Sequence, residues 1–482
     1  MKTRGKGRSA WGARVVAEET LHTYADPKNG AGAMWCFGSR TIVRRGAAVY
    51  AVVPETGAGI KPLCNTRWVL YSRRDGDCWK RAQAAPEFLE REPCPLALLP
   101  GGRLILSTNP KTAVRGERNA QWEAADTDPS LLWFETRAPQ RPPRIERPVW
   151  REPFAFFEHS YRGLAVEPKS GALLMTQQVA DGDGYSQAWT YRNAAGRWTR
   201  QGVLRFPVRG CYPMIALRGK MAAVVAVSDI VEPNPLWRRI KREATGQEWD
   251  FDFRQLFFTW TPDITSQPFS PPLTFASRDE TCGLLHHLDV WLDAGGDAHV
   301  LYGDRNCWQR CIRNRCFPGL PIVQSLEYCR IHQGAVVERR TLLRAVESPA
   351  TVGAPPVRRR GAFRPVKWDT GKKSKGSDAT DLVSLDPIPM GGVLHATPVG
   401  ELYVLISMRR ARGRGKPVVT MGMRRLLPDD TGAFRRVPMQ NPLHVFFNAC
   451  ERAGTRPSHT LDLYGHDADP LTIRYAQLRI EP

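Results

Sequence analysis

An apolar run, a glycine-bearing turn and a second apolar run recur along the whole chain, and a hairpin repeated this way restricts the fold more than any single residue does. The pattern reads "TIVRRGAAVYAVV" from Thr41, "PLALLPGGRLILS" from Pro95, "GLAVEPKSGALLM" from Gly163, "PMIALRGKMAAVVAV" from Pro213, "LDVWLDAGGDAHVLY" from Leu288 and "LHATPVGELYVLI" from Leu394, six copies in all. Five are followed, after a variable insert, by a more polar and aromatic hairpin, as in "RWVLYSRRDGDCWKR" from Arg67 and "AWTYRNAAGRWTRQ" from Ala188. After the second copy only "LLWFET" stands as its counterpart.

Two hairpins make a four-stranded unit, with an apolar pair inside and an aromatic pair outside, which is the pattern of a propeller blade. A seventh, irregular unit follows as "LHVFFNAC", "HTLDLYG" and "LTIRYAQLRI", and the N-terminal "ARVVAEE" is placed to complete it. The expected fold is all-β: one seven-bladed β-propeller of four-stranded blades with long loop insertions, spanning residues 1–482 as a single domain. A pair of β-sandwiches is the competing architecture. Glycine 41, proline 39 and tryptophan 15 fit a turn-rich β protein. Two inserts differ from the rest. Residues 232–250 predict a surface helix capped by Asn234, and the Pro-, Gly- and charge-rich stretch 347–380 reads as a mobile basic loop.

The formal net charge of +21 asks for an anionic partner: an acidic saccharide, nucleic acid or a membrane surface. No apolar stretch is long enough for a helical membrane span, and the basic start "MKTRGKGRSAWGARVV" lacks the apolar core of a signal peptide. A cytoplasmic protein, or an exported one whose signal has been removed, is the expectation. Eleven cysteines is an odd number, so at least one thiol has no partner within the chain. No cofactor is expected. A structural zinc near Cys282, Cys307 and Cys311 is a lesser alternative to disulfides or free thiols, because no CxxC pair is present.

In a propeller the residues just ahead of each inner strand sit at the rim of a central funnel. That rule nominates His159, Tyr161 and Arg162 in "FEHSYRG" and Tyr212 in "GCYPM" as catalytic groups. Trp35 in "GAMWCFGSR" is placed to stack on a sugar ring, Arg40, Asn65 and Arg67 to bind an anion or hydroxyls, and His395 to join them from the sixth unit.

"SRRDGDCW", Ser72 to Trp79, is similar to the Asp-box of sialidase-type propellers, with Arg74 where that box has its aspartate. Together with the hairpin series it resembles the sialidase-like superfamily with BNR repeats. The superfamily includes sialidases, propeller rhamnosidases and propeller lyases that act on uronate-containing polysaccharides. The resemblance implies a carbohydrate-active enzyme. Arg40 matches the first arginine of the sialidase triad by position, although the family's Arg-Ile-Pro is absent. The lyases' palette of His, Tyr and a neutralising Arg fits His159, Tyr161, Arg162 and Tyr212 by residue type.

β-Elimination at a uronic acid needs its carboxylate neutralised, a base for the adjacent C5 proton and a donor for the leaving oxygen. Arg grips a carboxylate through two parallel bonds. Acidic residues are sparse at the blade starts, whereas hydrolysis by the common route uses two carboxyls. Elimination is therefore the expected reaction, with sialidase- or rhamnosidase-like hydrolysis as the alternative. A polyanion- or nucleic-acid-binding propeller is a third reading, carried by the basic runs 237–243, 357–367 and 409–416 without any recognition fold beside them.

Overall fold

A computed structural model of the chain describes residues 11–35, 38–119, 122–159, 161–246, 251–347, 387–410 and 417–481. Among them lie seven four-stranded antiparallel sheets. The first comprises Ile42–Arg45, Ala48–Thr56, Thr66–Arg74 and Lys80–Ala84, in that order from inside to outside. The second comprises Leu96–Leu99, Arg103–Thr108, Ser130–Glu135 and Arg144–Glu146. The third comprises Arg162–Val166, Leu173–Asp181, Gly184–Arg192 and Trp198–Leu204. The fourth comprises Gly210–Arg218, Met221–Ser228, Gln255–Thr261 and Leu273–Ser277, and the fifth Leu284–Leu292, Ala298–Arg305, Val323–His332 and Ala335–Val346. The sixth comprises Ile388–Ala396, Leu402–Arg410, Val418–Leu427 and Arg435–Val437. The seventh runs Val445–Asn448, Thr460–His466, Thr472–Glu481 and then the N-terminal strand Gly12–Thr23, paired antiparallel from Gly12 opposite Glu481 to Thr23 opposite Thr472 with register shifts after Val15 and Thr20. All six inner hairpins read from the sequence are present, and the N-terminal strand closes the last unit as expected.

The core is a series of layers, one between each neighbouring pair of sheets. Side chains of successive strand residues point to opposite faces, so each inner hairpin serves two layers. In the fourth sheet Ala222 and Val224 pack towards the third, with Leu174 and Trp189. Ala223 and Val225 pack towards the fifth, with Val290 and Val300. Both faces being buried explains why these strands read as unbroken apolar runs and not as alternating ones. The last layer joins Tyr464 and Tyr475 of the seventh sheet to Val49 and Val53 of the first, so the layers close into a ring. The architecture is propeller-like, and no separate pair of sandwiches is present among the described residues.

The two ends of the ring differ. Inner hairpins turn tightly at one end, as at Gly219, whose φ of +58° suits glycine. Longer segments gather at the other. There, α1 (Pro235–Thr245) follows Asn234, whose side chain accepts from the Leu236 and Trp237 amides, and ends at left-handed Gly246. A second helix, α2 (Arg310–Cys316), lies in the corresponding segment of the fifth sheet. Between the second and third strands of the second sheet, the chain adds a hairpin, Lys111–Asn119 with Trp122–Thr127, joined by Phe156–Phe157. The sequence reading missed this extra sheet because its polar strands lack the apolar pattern. The stretch 347–380 lies almost wholly outside the described residues.

One segment reverses the rule for the tight end. Residues 449–459, after the inner strand of the seventh sheet, cross beneath the ring and meet the inner strand of every other sheet. Thr455 Oγ1 accepts from the Arg44 amide at 3.0 Å. The Leu98 amide donates to the Ala453 carbonyl at 2.8 Å, and the Val166 amide to the Arg452 carbonyl at 2.9 Å. Glu451 pairs with Arg218 at 3.5 Å and accepts from the Trp291 indole. The Ser458 amide donates to the Ala396 carbonyl at 3.3 Å, while His395 is bonded to the Ser458 carbonyl at 2.7 Å. This plug ties the inner strands of the other six sheets together at the tight end.

Candidate functional site

At the long-segment end, the third and fourth sheets part to form a cleft of about 730 Å³, lined among others by Asp181, Tyr185, Arg205, Phe206, Arg209 and Asp229. Arg209 and Asp229 come together because they flank the inner hairpin of the fourth sheet, with the Asp229 amide bonded to the Arg209 carbonyl at 3.0 Å. Their side chains pair at 3.7 Å. The Arg209 guanidinium lies over the rings of Tyr185, at 4.5 Å, and Tyr161, at 5.7 Å, and donates to Gln178 at 3.0 Å. It forms the wall between the open cleft and the buried phenols.

Behind that wall the Tyr161 and Tyr212 rings pack at a tilt of 37°, with centroids 4.4 Å apart and hydroxyls 3.3 Å from each other. Tyr212 holds φ at +52°, a conformation that costs a non-glycine residue and that clusters at functional sites. A register shift between Cys211 and Met214 accommodates it, and its carbonyl is tied to His287 at 2.7 Å. Burial pushes both phenols well above the usual tyrosine range. They stay protonated.

His159 sits one residue past Glu158, with Nδ1 3.0 Å from the Glu158 carboxylate. The Glu158 carboxylate also accepts from the Ala125 amide at 3.0 Å. Burial works against ionisation of Glu158, but the bonds from His159 and Ala125 prevail and hold it at about 2. The neighbouring Phe157 ring lies 5.8 Å from Tyr185, so this pair stands on the same side of the ring as the cleft. The two cleft aspartates are driven apart. Burial raises Asp229 despite Arg209, whereas hydrogen bonds from Arg205, at 2.7 Å, and Ser186, at 2.5 Å, lower half-buried Asp181.

Of the residues nominated from sequence, the structure brings Tyr161 and Tyr212 together behind the cleft, with His159 on its flank. Trp35 is not an open platform: its ring packs edge-on against Tyr212, centroids 6.0 Å apart. Arg162 is buried and bound to Glu90 at 3.3 Å and to the carbonyls of Glu92 and Pro93, so it braces the ring and does not face the cleft. Arg40 is buried on the axis against Asp289 at 2.6 Å. Asn65 spends its amide on the Pro27 carbonyl and accepts from Asn29, and Arg67 pairs with Glu55 at 2.5 Å beneath Phe88. His395 stands at the far end of its strand, against the plug; the rim rule fails there because the residue closes its inner strand where the others open theirs. Arg209 and Asp229 were missed. Their only signal is position, immediately before and after the inner hairpin of the fourth sheet.

Cys282, Cys307 and Cys311 are free thiols packed in the apolar layer under α1 and α2, and no group of His, Cys, Asp and Glu among the described residues is placed to hold a metal. The basic run 237–243 lies on α1, where Lys241 is buried against Glu232 at 3.1 Å. The run 357–367 and most of 409–416 lie outside the described residues. No helix of the described residues is long and apolar enough to cross a membrane.

No family model and no curated protein matches the chain. Solved structures similar to it include the polysaccharide lyase Uly1, with 10% identity, 92% of this chain and 89% of that one covered, and a TM-score of 0.46. An α-L-arabinanase of Penicillium chrysogenum has 12% identity over 80% of this chain and 91% of its own, with a TM-score of 0.38. The sialidase of Trypanosoma rangeli has 12% identity over 81% of this chain and 55% of its own, again at 0.38. At these values the likeness carries nothing about the site.

Proposed function

We propose that the chain is one seven-bladed propeller of the sialidase-like kind that cleaves glycosidic bonds in an acidic saccharide, by β-elimination at a uronate. The observation that carries this reading is a cation, Arg209, lining an open cleft, with two protonated phenols, Tyr161 and Tyr212, buried directly behind it and a carboxylate-oriented imidazole, His159, on its flank. Arg209 faces the substrate carboxylate, a role the sequence reading gave to Arg162 or Arg40. His159, with Nδ1 held by Glu158, takes the C5 proton on its other ring nitrogen. The C5 electron pair forms the C4–C5 double bond as the C4–O bond breaks, and the leaving oxygen takes a proton from Tyr161, which the Arg209 side chain uncovers as it moves onto the substrate carboxylate. Neutral phenols suit the donor's role and not the base's. The net charge of +21 favours a polyanionic substrate.

A second reading rests on Asp229 and Asp181. One carboxyl raised and one lowered in a single cleft is the arrangement that separates acid from base in glycoside hydrolysis. Incubation with uronate-containing oligosaccharides decides between the two. Elimination yields an unsaturated sugar absorbing in the near ultraviolet, whereas hydrolysis yields reducing ends without that absorbance. If neither appears while the glycan binds, the propeller is a binding module and the catalytic reading fails.

A further inference from the structure

The axis of the ring carries an unbalanced charge. Arg40, from the segment entering the first sheet, and Arg452, from the plug, both close on Asp289: Arg40 Nη2 lies 2.6 Å from Oδ2, and Arg452 Nε lies 3.4 Å from Oδ1. All three side chains are at most 4% exposed. Two guanidiniums thus share one carboxylate in a dry interior. Asp289 has little left to offer, because its oxygens also accept the Val290 and Leu394 amides, each at 2.9 Å.

The neighbouring charges do not restore the balance. Glu90 is taken by Arg162 and Glu92 by Arg91. Burial holds His287 near a pKa of about 4, so it is neutral. Arg452 Nη1 donates to the Gly38 carbonyl at 2.6 Å, and Arg40 Nε to Cys450 Sγ at 3.4 Å. Among the described residues, Arg40 Nη1 and Arg452 Nη2 have no hydrogen-bond partner, although both are shut off from solvent. A buried unpaired cation costs several kcal/mol, about the scale on which whole domains are stable. Burial, and then the neighbouring Arg40, also lower the proton affinity of Arg452, to about 10.

We propose that a small monovalent inorganic anion, chloride in ordinary solution, binds on the axis to Arg40 Nη1 and Arg452 Nη2 and locks the plug to the ring. Its size follows from the crowding. Both guanidiniums are buried, and a Cβ on Gly38, whose carbonyl accepts from Arg452, would stand 2.2 Å from the Pro213 carbonyl oxygen, so a small ion suits the site better than a sugar. The site is separate from the cleft and does not depend on what the cleft cleaves.

The test is thermal unfolding of the full chain at constant ionic strength while gluconate is replaced by chloride. The expected result is a saturable rise in Tm of at least about 2 °C. Arg452→Leu, which leaves Arg40 and Asp289 as a neutral pair, should abolish the response. Crystals of the unaltered chain grown in bromide serve should that variant not fold, and they should show anomalous scattering between the two guanidiniums. Equal melting in gluconate and chloride, or an axis without bromide, overturns the proposal.

Discussion

The two ends of the ring are built from the same seven sheets and do opposite work. At the cleft end the connections are long and carry polar residues inward: Arg209, Asp229 and the His159–Glu158 pair all stand at or beside strand ends. At the tight end the connections are short, and the one long segment, 449–459, bonds to the inner strand of every other sheet. The difference shows how a repetitive scaffold separates tasks. Strands supply identical frames, and variation confined to one rim leaves the other free to hold the frames together. Groups displaced at the cleft end should change chemistry at little cost in stability, and groups displaced at the plug should do the reverse.

The largest expected effect is at the cleft. Tyr161→Phe removes the proton donor while keeping the ring that packs against Tyr212, and should lower kcat by about 10²- to 10⁴-fold with Tm nearly unchanged. Steady-state rates and melting of the same preparation check both halves. A variant that keeps its rate but melts early would assign Tyr161 to the frame.

At the plug, Gly454 holds φ at +81°, and a Cβ there would stand 1.7 Å from the Leu98 carbonyl oxygen. Gly454→Ala is therefore expected to destabilise the chain by about 3 kcal/mol or more in urea unfolding, with cleft activity per folded molecule retained. An equal loss of specific activity would mean that the two ends are coupled and the contrast is too sharp.

His287 tests the layer between the ends. Its folded pKa is lowered by burial to about 4 from 6.5, so below 6.5 the unfolded chain binds the extra proton. Its contribution to stability is full above pH 6.5 and is lost as pH falls to about 4, amounting to about 3 kcal/mol. Unfolding free energies of the unaltered chain and His287→Gln across pH 4–7 should differ in slope over that window. Parallel slopes would show that another group governs it. The smallest effect is expected from Thr455→Val, which leaves the Arg44 amide without its acceptor and should cost about 1 kcal/mol.

The ring was written in the residue pattern. Inner strands buried on both faces must read as continuous apolar runs, glycines must mark their turns, and an unpaired last unit must find a strand elsewhere, so the hairpins and the N-terminal closure were legible. Tyr161 and Tyr212 were legible as residues opening inner strands. Which polar groups meet depends on the folded ring. Arg40 and Arg209 precede an inner strand and Arg162 opens one, and nothing local separates them. Arg162 is consumed by Glu90, 72 positions earlier, and Arg40 by Asp289 in the fifth sheet, while Arg209 alone of the three lines the cleft. The fate of a guanidinium in a ring is set by carboxylates brought to it from other units, through long-range pairings that leave no mark on the sequence around either partner.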